Sequence, residues 1–198
     1  LLGVKAAHPD LFANSVMIIT APHDTHSDAF KLATDFAVLL GATPFYADPY
    51  EADGLLARLD LLPQLVAAAM LDSAIDQPGW SEGKKVAGKN FSHVTNPILF
   101  MEEEKPLGKL ALMNQENTLR VIDSFIESLT ELRSYIAEKD EEGLHNYLQS
   151  ARDGRFKWWV KREKGDWNET GSHANVPGVG EMIGQLFLGN LGKKRKEK

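Results

Sequence analysis

The stretch YEADGLLARLDLLPQLVAAAMLDSAI, residues 50–75, decides the fold because its large apolar residues recur every three or four positions. That spacing predicts one long helix over residues 50–75. Pro63 lies inside it, and an interior proline removes a backbone hydrogen bond, so the helix should kink there. The residues that set the spacing are Leu55, Leu59, Leu62, Val66 and Met70.

Two further helices are predicted towards the C-terminus. Residues 106–139 are strongly helical, and their apolar residues step by three and four to form a narrow seam. A third helix should run over residues 140–161. The seam consists of Ile122, Phe125, Leu129, Leu132 and Ile136. Periodicity leaves two interpretations of this seam open, an intrachain core or a dimer interface.

The remaining C-terminal half reads as connections. Residues 77–97 are rich in Gly, Pro, Lys and Ser and predict a loop with a short helix at most. Residues 165–180 read as a glycine-punctuated linker, residues 181–188 as one short helix, and residues 193–198 as a frayed basic tail.

The segment before the long helix alternates strand, helix and strand. Residues 14–20 and 43–47 are short and rich in β-branched and aromatic residues, which favours strands, and residues 28–40 carry apolar residues at helical spacing. This order indicates a βαβ crossover beside a parallel sheet. One such unit cannot bury both faces of its sheet, so we expect its missing strands before Leu1 or from a partner.

Composition sets wider limits. The 198 residues are 43% hydrophobic and 25% charged, with a net charge of −6 that disfavours a general nucleic-acid binder. The absence of cysteine excludes disulfides, thiolate metal sites and a cysteine nucleophile, and fits a cytoplasmic protein. No apolar run reaches the roughly 18 residues of a membrane span. The opening reads as mid-domain sequence, so we expect the chain to be a piece of a longer protein.

Five short stretches carry a resemblance through their order and spacing. They are residues 2–12, residues 16–22, Asp53 with Leu62-Pro63, Asn96-Pro97, and residues 114–117. Together they resemble the prephenate and arogenate dehydrogenase family. The first looks like the segment after the family's catalytic His-Pro-Met-Ala-Gly motif, and the last is similar to the Asn-x-Glu-Asn step of its long dimer helix.

The resemblance implies a mainly α fold. A helical dimerisation and substrate domain at residues 50–198 would follow a short βαβ remnant of a Rossmann-type sheet at residues 1–49. The resemblance also implies an NAD- or NADP-dependent oxidative decarboxylation of prephenate or arogenate in tyrosine biosynthesis, by a cytoplasmic homodimer paired through its long helices. The family's phosphate loop and catalytic histidine precede this segment, and no G-x-G-x-x-G occurs here. We therefore expect no catalytic, cofactor-binding or metal-binding residue in this chain, no bound cofactor and no activity in isolation. We expect neither nucleic acid nor a membrane as a partner.

The substrate-binding helix departs from the family. Aligned on Leu62-Pro63, Ala52 replaces the family's first histidine, Asp60-Leu61 replace its Ser-His pair, and Gln64 replaces its last histidine. A leucine cannot donate a hydrogen bond, and Asp60 would repel a dicarboxylate. Two alternatives therefore stay open: the same scaffold acting on a different substrate, or a non-catalytic dimerisation or ligand-sensing module.

Each candidate site residue has a structural alternative. Asp53 is a substrate ligand or a helix-capping acid, Gln64 lines a pocket at the kink or faces solvent, and Lys89 binds an anion or is solvated. The predicted substrate-binding residues are Asp53, Asp60, Gln64, Lys89 and His93.

Two other clusters favour structural roles. His23 and His26 suggest a metal site, but a helix cap is favoured because no third ligand is in view. Trp158, Trp159 and Trp167 stand among basic residues and suggest base stacking, but packing of a C-terminal helix is favoured.

Overall fold

The structure, a computed structural model, describes residues 7–100, 107–165 and 167. It is mainly α-helical with a two-stranded parallel sheet, as predicted. In chain order the elements are β1 (Val16–Ile19), α1 (Ser27–Leu39), β2 (Thr43–Tyr46), α2 (Pro49–Leu56), a π-helix (Ala57–Leu61), α3 (Leu62–Asp72), α4 (Trp80–Val86), α5 (Lys89–Thr95), a 3₁₀-helix (Asn96–Phe100), α6 (Leu107–Met113), α7 (Gln115–Glu138) and α8 (Glu141–Lys164).

Packing divides the chain into two compact units. One comprises the residues up to Pro49 together with those from Leu148 onward, and the other is Tyr50–Tyr147. The part of α8 that begins at Leu148 groups with the βαβ segment. The division into domains at 1–49 and 50–198 stays a prediction.

The βαβ prediction is confirmed in the first unit. β1 and β2 pair in parallel, with Val16 opposite Thr43 and Ile19 opposite Tyr46. Ile19, Phe30 and Ala37 form the buried core, and the rings of Phe30 and Tyr46 stack at 5.1 Å.

The outer face of α1 is apolar and exposed. Leu32, Phe36 and Leu39 are 71%, 54% and 82% exposed. A lone βαβ unit therefore leaves much apolar surface in water, as its size requires.

The long helix of residues 50–75 is confirmed, and its kink takes the form of a π turn. The N–H of Leu62 bonds to the carbonyl of Ala57, five residues back. This wider turn directly precedes Pro63, whose ring would clash with the carbonyl one α-turn earlier. The helix continues as α3 with its proline near the start.

The loop predicted for residues 77–97 is wrong, because the segment forms α4, α5 and the start of the 3₁₀-helix. Gly79 precedes α4 with φ of +92°, a conformation that side chains disfavour. The rings of Trp80 and Phe91 lie 6.0 Å apart across the two short helices, and α5 packs on α3. Tertiary contacts therefore stabilise helices too short to show a periodic pattern.

The single helix predicted at residues 106–139 is broken at Asn114, which has φ of −110° and ψ of 43°. α6 precedes the break and α7 follows it. α8 confirms the third predicted helix and extends it to Lys164. The helix predicted at residues 181–188 lies outside the described residues.

The turn between α7 and α8 gives a test of local packing. Asp140 caps α8 by accepting the Gly143 N–H at 2.9 Å. A Cβ at Gly143 would collide with Asp140 Oδ2 and lie 2.7 Å from the ring of Tyr135. The hydroxyl of Tyr135 donates to the carboxylate of Glu131, which raises the pKa of that phenol above its ordinary value.

We expect Gly143→Ala to lower the free energy of unfolding by about 1–2 kcal/mol, because displacing the cap and ring outweighs the better helix propensity of alanine. Gly154→Ala is the matched control on the same helix, since a Cβ there meets nothing within 4 Å. It should raise stability by up to about 1 kcal/mol. Urea unfolding measures both, and equal shifts of the same sign would contradict the packing at Gly143.

Candidate functional site

Three of the predicted substrate-binding residues lie along one bent helix. Asp53 is on α2, Asp60 is in the π-helix, and Gln64 is in the first turn of α3. The two aspartates are exposed and Gln64 is partly buried. The helix therefore carries one carboxylate before the π-helix, one carboxylate within it and one amide after it.

The side chain of Gln64 has a local partner. Its Nε2 donates to the backbone carbonyl of Asp60 at 3.2 Å. The Asp60 carbonyl therefore has a side-chain donor in the turn that contains Pro63. The amide oxygen of Gln64 remains an acceptor for a ligand.

The other two predicted residues lie one turn apart on α5. Lys89 and His93 are both exposed, and α5 packs against α3, which carries Gln64. Lys85 of α4 bonds to Glu82 at 2.7 Å. The α4–α5 segment carries three lysines against one glutamate, so it offers positive charge to an anionic ligand.

The two positions where the resemblance places the family's first histidine and the histidine of its Ser-His pair face the interior. Ala52 is 4% exposed and Leu61 is 7% exposed. Each packs as a hydrophobic residue of the core, in keeping with their loss of hydrogen-bonding capacity. Neither position therefore offers a hydrogen-bonding side chain to a substrate.

The predicted seam runs along α7 and is only partly covered. Ile122, Phe125 and Leu132 are partly buried, whereas Leu129 and Ile136 are 48% and 60% exposed. Val121, one turn before Phe125 on the same side of the helix, is 1% exposed and belongs to the core of this unit. The apolar side of α7 is therefore covered near the start of the helix and open towards its C-terminal half.

Sequence reasoning missed part of the open face and a polar network beside it. Ile126 is 52% exposed and adds to the seam, although it falls outside the three-four step that defined it. Asn114 donates to the backbone carbonyl of Asp53 at 2.9 Å, which joins the start of α7 to α2. The only sequence signal for that contact was the likeness of residues 114–117 to the family's Asn-x-Glu-Asn step.

The alternative clusters have structural roles. His26 is the N-cap of α1, where its Nδ1 accepts the Asp28 N–H at 3.3 Å. No group of three metal-ligating side chains occurs among the described residues. Trp158 and Trp159 pack against Arg155 of their own helix, whose guanidinium carbon lies 4.8 and 4.6 Å from their ring centres.

The bent helix also carries much exposed apolar surface. Pro49–Asp72 is 24 residues long with a mean hydropathy of 1.5 over its most apolar window, enough to cross a membrane by length and composition alone. Core helices of soluble proteins pass the same test. Within this chain 17% of the residues in that window are fully buried. Most of the others are partly buried, whereas Leu56 and Leu59 are 46% and 71% exposed and leave apolar surface uncovered.

Comparison with known proteins identifies a family with these helices. The family model described as "Prephenate dehydrogenase, dimerization domain" matches residues 48–150. A prephenate dehydrogenase of Bacillus subtilis (strain 168) is 26% identical over 165 residues, which cover 77% of this chain and 41% of that protein.

Solved structures share the fold. A prephenate dehydrogenase from A. aeolicus in complex with hydroxyphenyl propionate and NAD+ is 25% identical with a TM-score of 0.70, over 78% of this chain and 54% of that one. A Synechocystis arogenate dehydrogenase is 20% identical with a TM-score of 0.67, over 75% and 54%, and shows the fold alone. This chain thus spans about half the length of the relatives it matches.

Proposed function

Since the chain belongs to the prephenate dehydrogenase family, through a dimerization domain matched at residues 48–150, we propose that it is the dimerisation and substrate-binding part of a dehydrogenase of tyrosine biosynthesis. The complete enzyme would oxidise prephenate or arogenate with NAD or NADP. The match of residues 48–150, which include the Pro49–Asp72 helix and α7, to this family is the observation that carries the proposal.

The proposed reaction divides its parts between this chain and the rest of the protein. In the complete enzyme a bound nicotinamide would accept the hydride of the ring carbon that bears the hydroxyl. The electron pair of the breaking ring–carboxylate bond would enter the ring, which releases carbon dioxide and leaves an aromatic ring whose oxygen keeps its proton overall. This chain has no G-x-G-x-x-G loop to cradle a pyrophosphate. Its own task is to bind and orient the substrate, and alone it should be inactive and free of cofactor.

The charges around the bent helix suit such a substrate in two ways. Lys89 and His93 on α5 offer hydrogen-bond donors to a carboxylate. Asp53 and Asp60 offer acceptors for an amino group, which arogenate carries and prephenate does not. The site proposed here therefore contains Asp53, Asp60, Gln64, Lys89 and His93.

The apolar surface supports a homodimer. The open seam of α7 and the exposed Leu56 and Leu59 of the Pro49–Asp72 helix would be buried against a second copy, as a dimerization domain requires. A cytoplasmic location fits the cysteine-free sequence.

The test is an assay of the full gene product with prephenate and with arogenate, following reduction of NAD and of NADP. We expect turnover with at least one pair and none from the 198-residue chain alone. Cofactor binding without turnover of either substrate would reject the substrate assignment.

A second candidate function, the same scaffold with a different substrate, is favoured by the buried Leu61. On this candidate, Leu61→His in the full gene product should raise kcat/KM for prephenate about tenfold, because the imidazole restores a donor at the family's position. It should also cost about 1–3 kcal/mol of stability, since the position is buried.

Leu61→Met is the control, because it keeps the volume and adds no donor. Turnover measured with both substrates separates the outcomes. No gain in prephenate turnover by a folded Leu61→His protein would show that specificity does not depend on this position.

A further inference from the structure

Three side chains at the start of α7 form one chain of hydrogen bonds that ends on the backbone of α2. Arg120 Nη2 donates to Asn117 Oδ1 at 2.7 Å, and Asn117 Nδ2 donates to Asn114 Oδ1 at 2.8 Å. Asn114 Nδ2 then donates to the carbonyl oxygen of Asp53 at 2.9 Å. We call these three side chains and that carbonyl the Asn114 relay.

The two ends of the relay determine its direction. A guanidinium can only donate and a backbone carbonyl can only accept, so both asparagine amides must point their oxygen towards Arg120 and their nitrogen towards Asp53. Each amide thus has one usable orientation. Bonds arranged head to tail in this way polarise and strengthen one another.

Gly54 gives the relay the space it occupies. A Cβ at this position would lie 3.2 Å from Arg120 Nη2 and 3.6 Å from Asn117 Oδ1. The first of these distances is tighter than ordinary van der Waals contact, so the arginine would have to move. A glycine in the interior of α2 costs helix stability, and here it lets two polar side chains approach the helix.

Asn114 also stands at a joint. It lies between α6 and α7 with non-helical dihedral angles, while its backbone N–H still bonds to Leu110 and its carbonyl accepts from Thr118. Both α6 and α7 pack against the π-helix that carries Asp60. The side chain of Asn114 is therefore bonded to α2 at the junction of α6 and α7, the two helices that pack against the π-helix.

We propose that Asn114 is a positioning residue, which holds the Asp53 turn of α2 in place against the dimer helix α7 so that the substrate-binding side chains keep their spacing. The proposal rests on the proposed function for its kinetic consequence. The relay itself touches no reacting atom: Asn114 acts through the backbone of Asp53, and Arg120 and Asn117 act through Asn114.

The first test is Asn114→Leu in the full gene product, which keeps the approximate volume and removes both the donor and the acceptor. We expect KM to rise about fivefold while kcat changes less than about twofold, since one net hydrogen bond is worth about 1 kcal/mol. Hydrogen exchange of the amides of residues 52–56 should become faster, while exchange in α8 stays the same. Asn146→Leu, at an exposed position of α8, is the matched control and should change neither readout.

Two milder variants separate positioning from folding. Asn114→Asp keeps an acceptor for Asn117 and loses the donor to Asp53, so it should reproduce the faster exchange in α2. Gly54→Ala improves helix propensity and displaces only the flexible end of Arg120, so it should fold and raise KM by a smaller factor.

The outcomes are distinct. Unchanged KM and unchanged exchange at residues 52–56 in Asn114→Leu and Asn114→Asp would overturn the proposal, as would faster exchange spread equally over α2 and α8. If the wild-type product turns over neither substrate, the proposed function fails. In that case hydrogen exchange in α2 still tests the positioning role, and an increase in rate confined to residues 52–56 would support it.

Discussion

Leu129→Glu combined with Ile136→Glu is expected to convert the proposed dimer into a monomer. The two side chains are 48% and 60% exposed in the single chain and lie seven residues apart, two turns along the open face of α7. In a twofold interface each substitution occurs twice, so four carboxylates would have to lose water against apolar partners. We expect the dissociation constant to rise about 1,000-fold or more.

Sedimentation across a range of protein concentrations measures this change. Val86→Glu is the control, because that valine is 83% exposed on α4 and the same change of side chain there should leave the dimer intact. Circular dichroism should show the same helix content in all three proteins. A wild-type chain that stays monomeric at high concentration, or a double variant that stays dimeric, would contradict the proposed interface.

The seam shows what periodicity predicts and where it stops. The three-four spacing from Ile122 to Ile136 places these residues on one side of a helix, and α7 confirms the helix. Periodicity carries no information about what covers that side. The exposed fractions of the side chains supply that information: Val121 is buried within the chain, whereas Leu129 and Ile136 are exposed.

The kink illustrates a second limit. Pro63 predicts a disturbance in the long helix because its missing N–H and its ring are local properties of the residue. The form of the disturbance depends on how the neighbouring turns relax. Here the N–H of Leu62 reaches back five residues, in a turn that packs against α6 and α7.

The short helices and the contacts between residues far apart in the sequence could not be predicted, for the same reason. α4 and α5 have seven residues each, too few to display an apolar stripe, and contacts such as that between Trp80 and Phe91 stabilise them. The bond from Asn114 to Asp53 joins residues 61 positions apart. The sequence around Asn114 and around Asp53 gives no local sign of this contact. The βαβ unit could be predicted because it forms from segments that are neighbours along the chain.

Lys89→Glu in the full gene product is expected to raise KM for a carboxylate substrate roughly 30-fold, with a much smaller change in kcat. Lys89 is exposed at the start of α5, one turn from His93, on a helix that packs against α3. Reversing its charge replaces an attraction with a repulsion at the substrate carboxylate. Because binding rather than chemistry is affected, the loss should appear in KM.

Salt provides an independent readout of the same interaction. The KM of the wild-type enzyme should rise with ionic strength, because ions screen the attraction between Lys89 and the carboxylate, and that of Lys89→Glu should fall or stay level. Lys109→Glu, an exposed charge reversal on α6, is the matched control and should behave as wild type in both measurements. An equal rise in KM for Lys89→Glu and Lys109→Glu would point to the overall charge of the protein and remove Lys89 from the proposed site, whereas a rise confined to Lys89→Glu would place the substrate carboxylate beside α5.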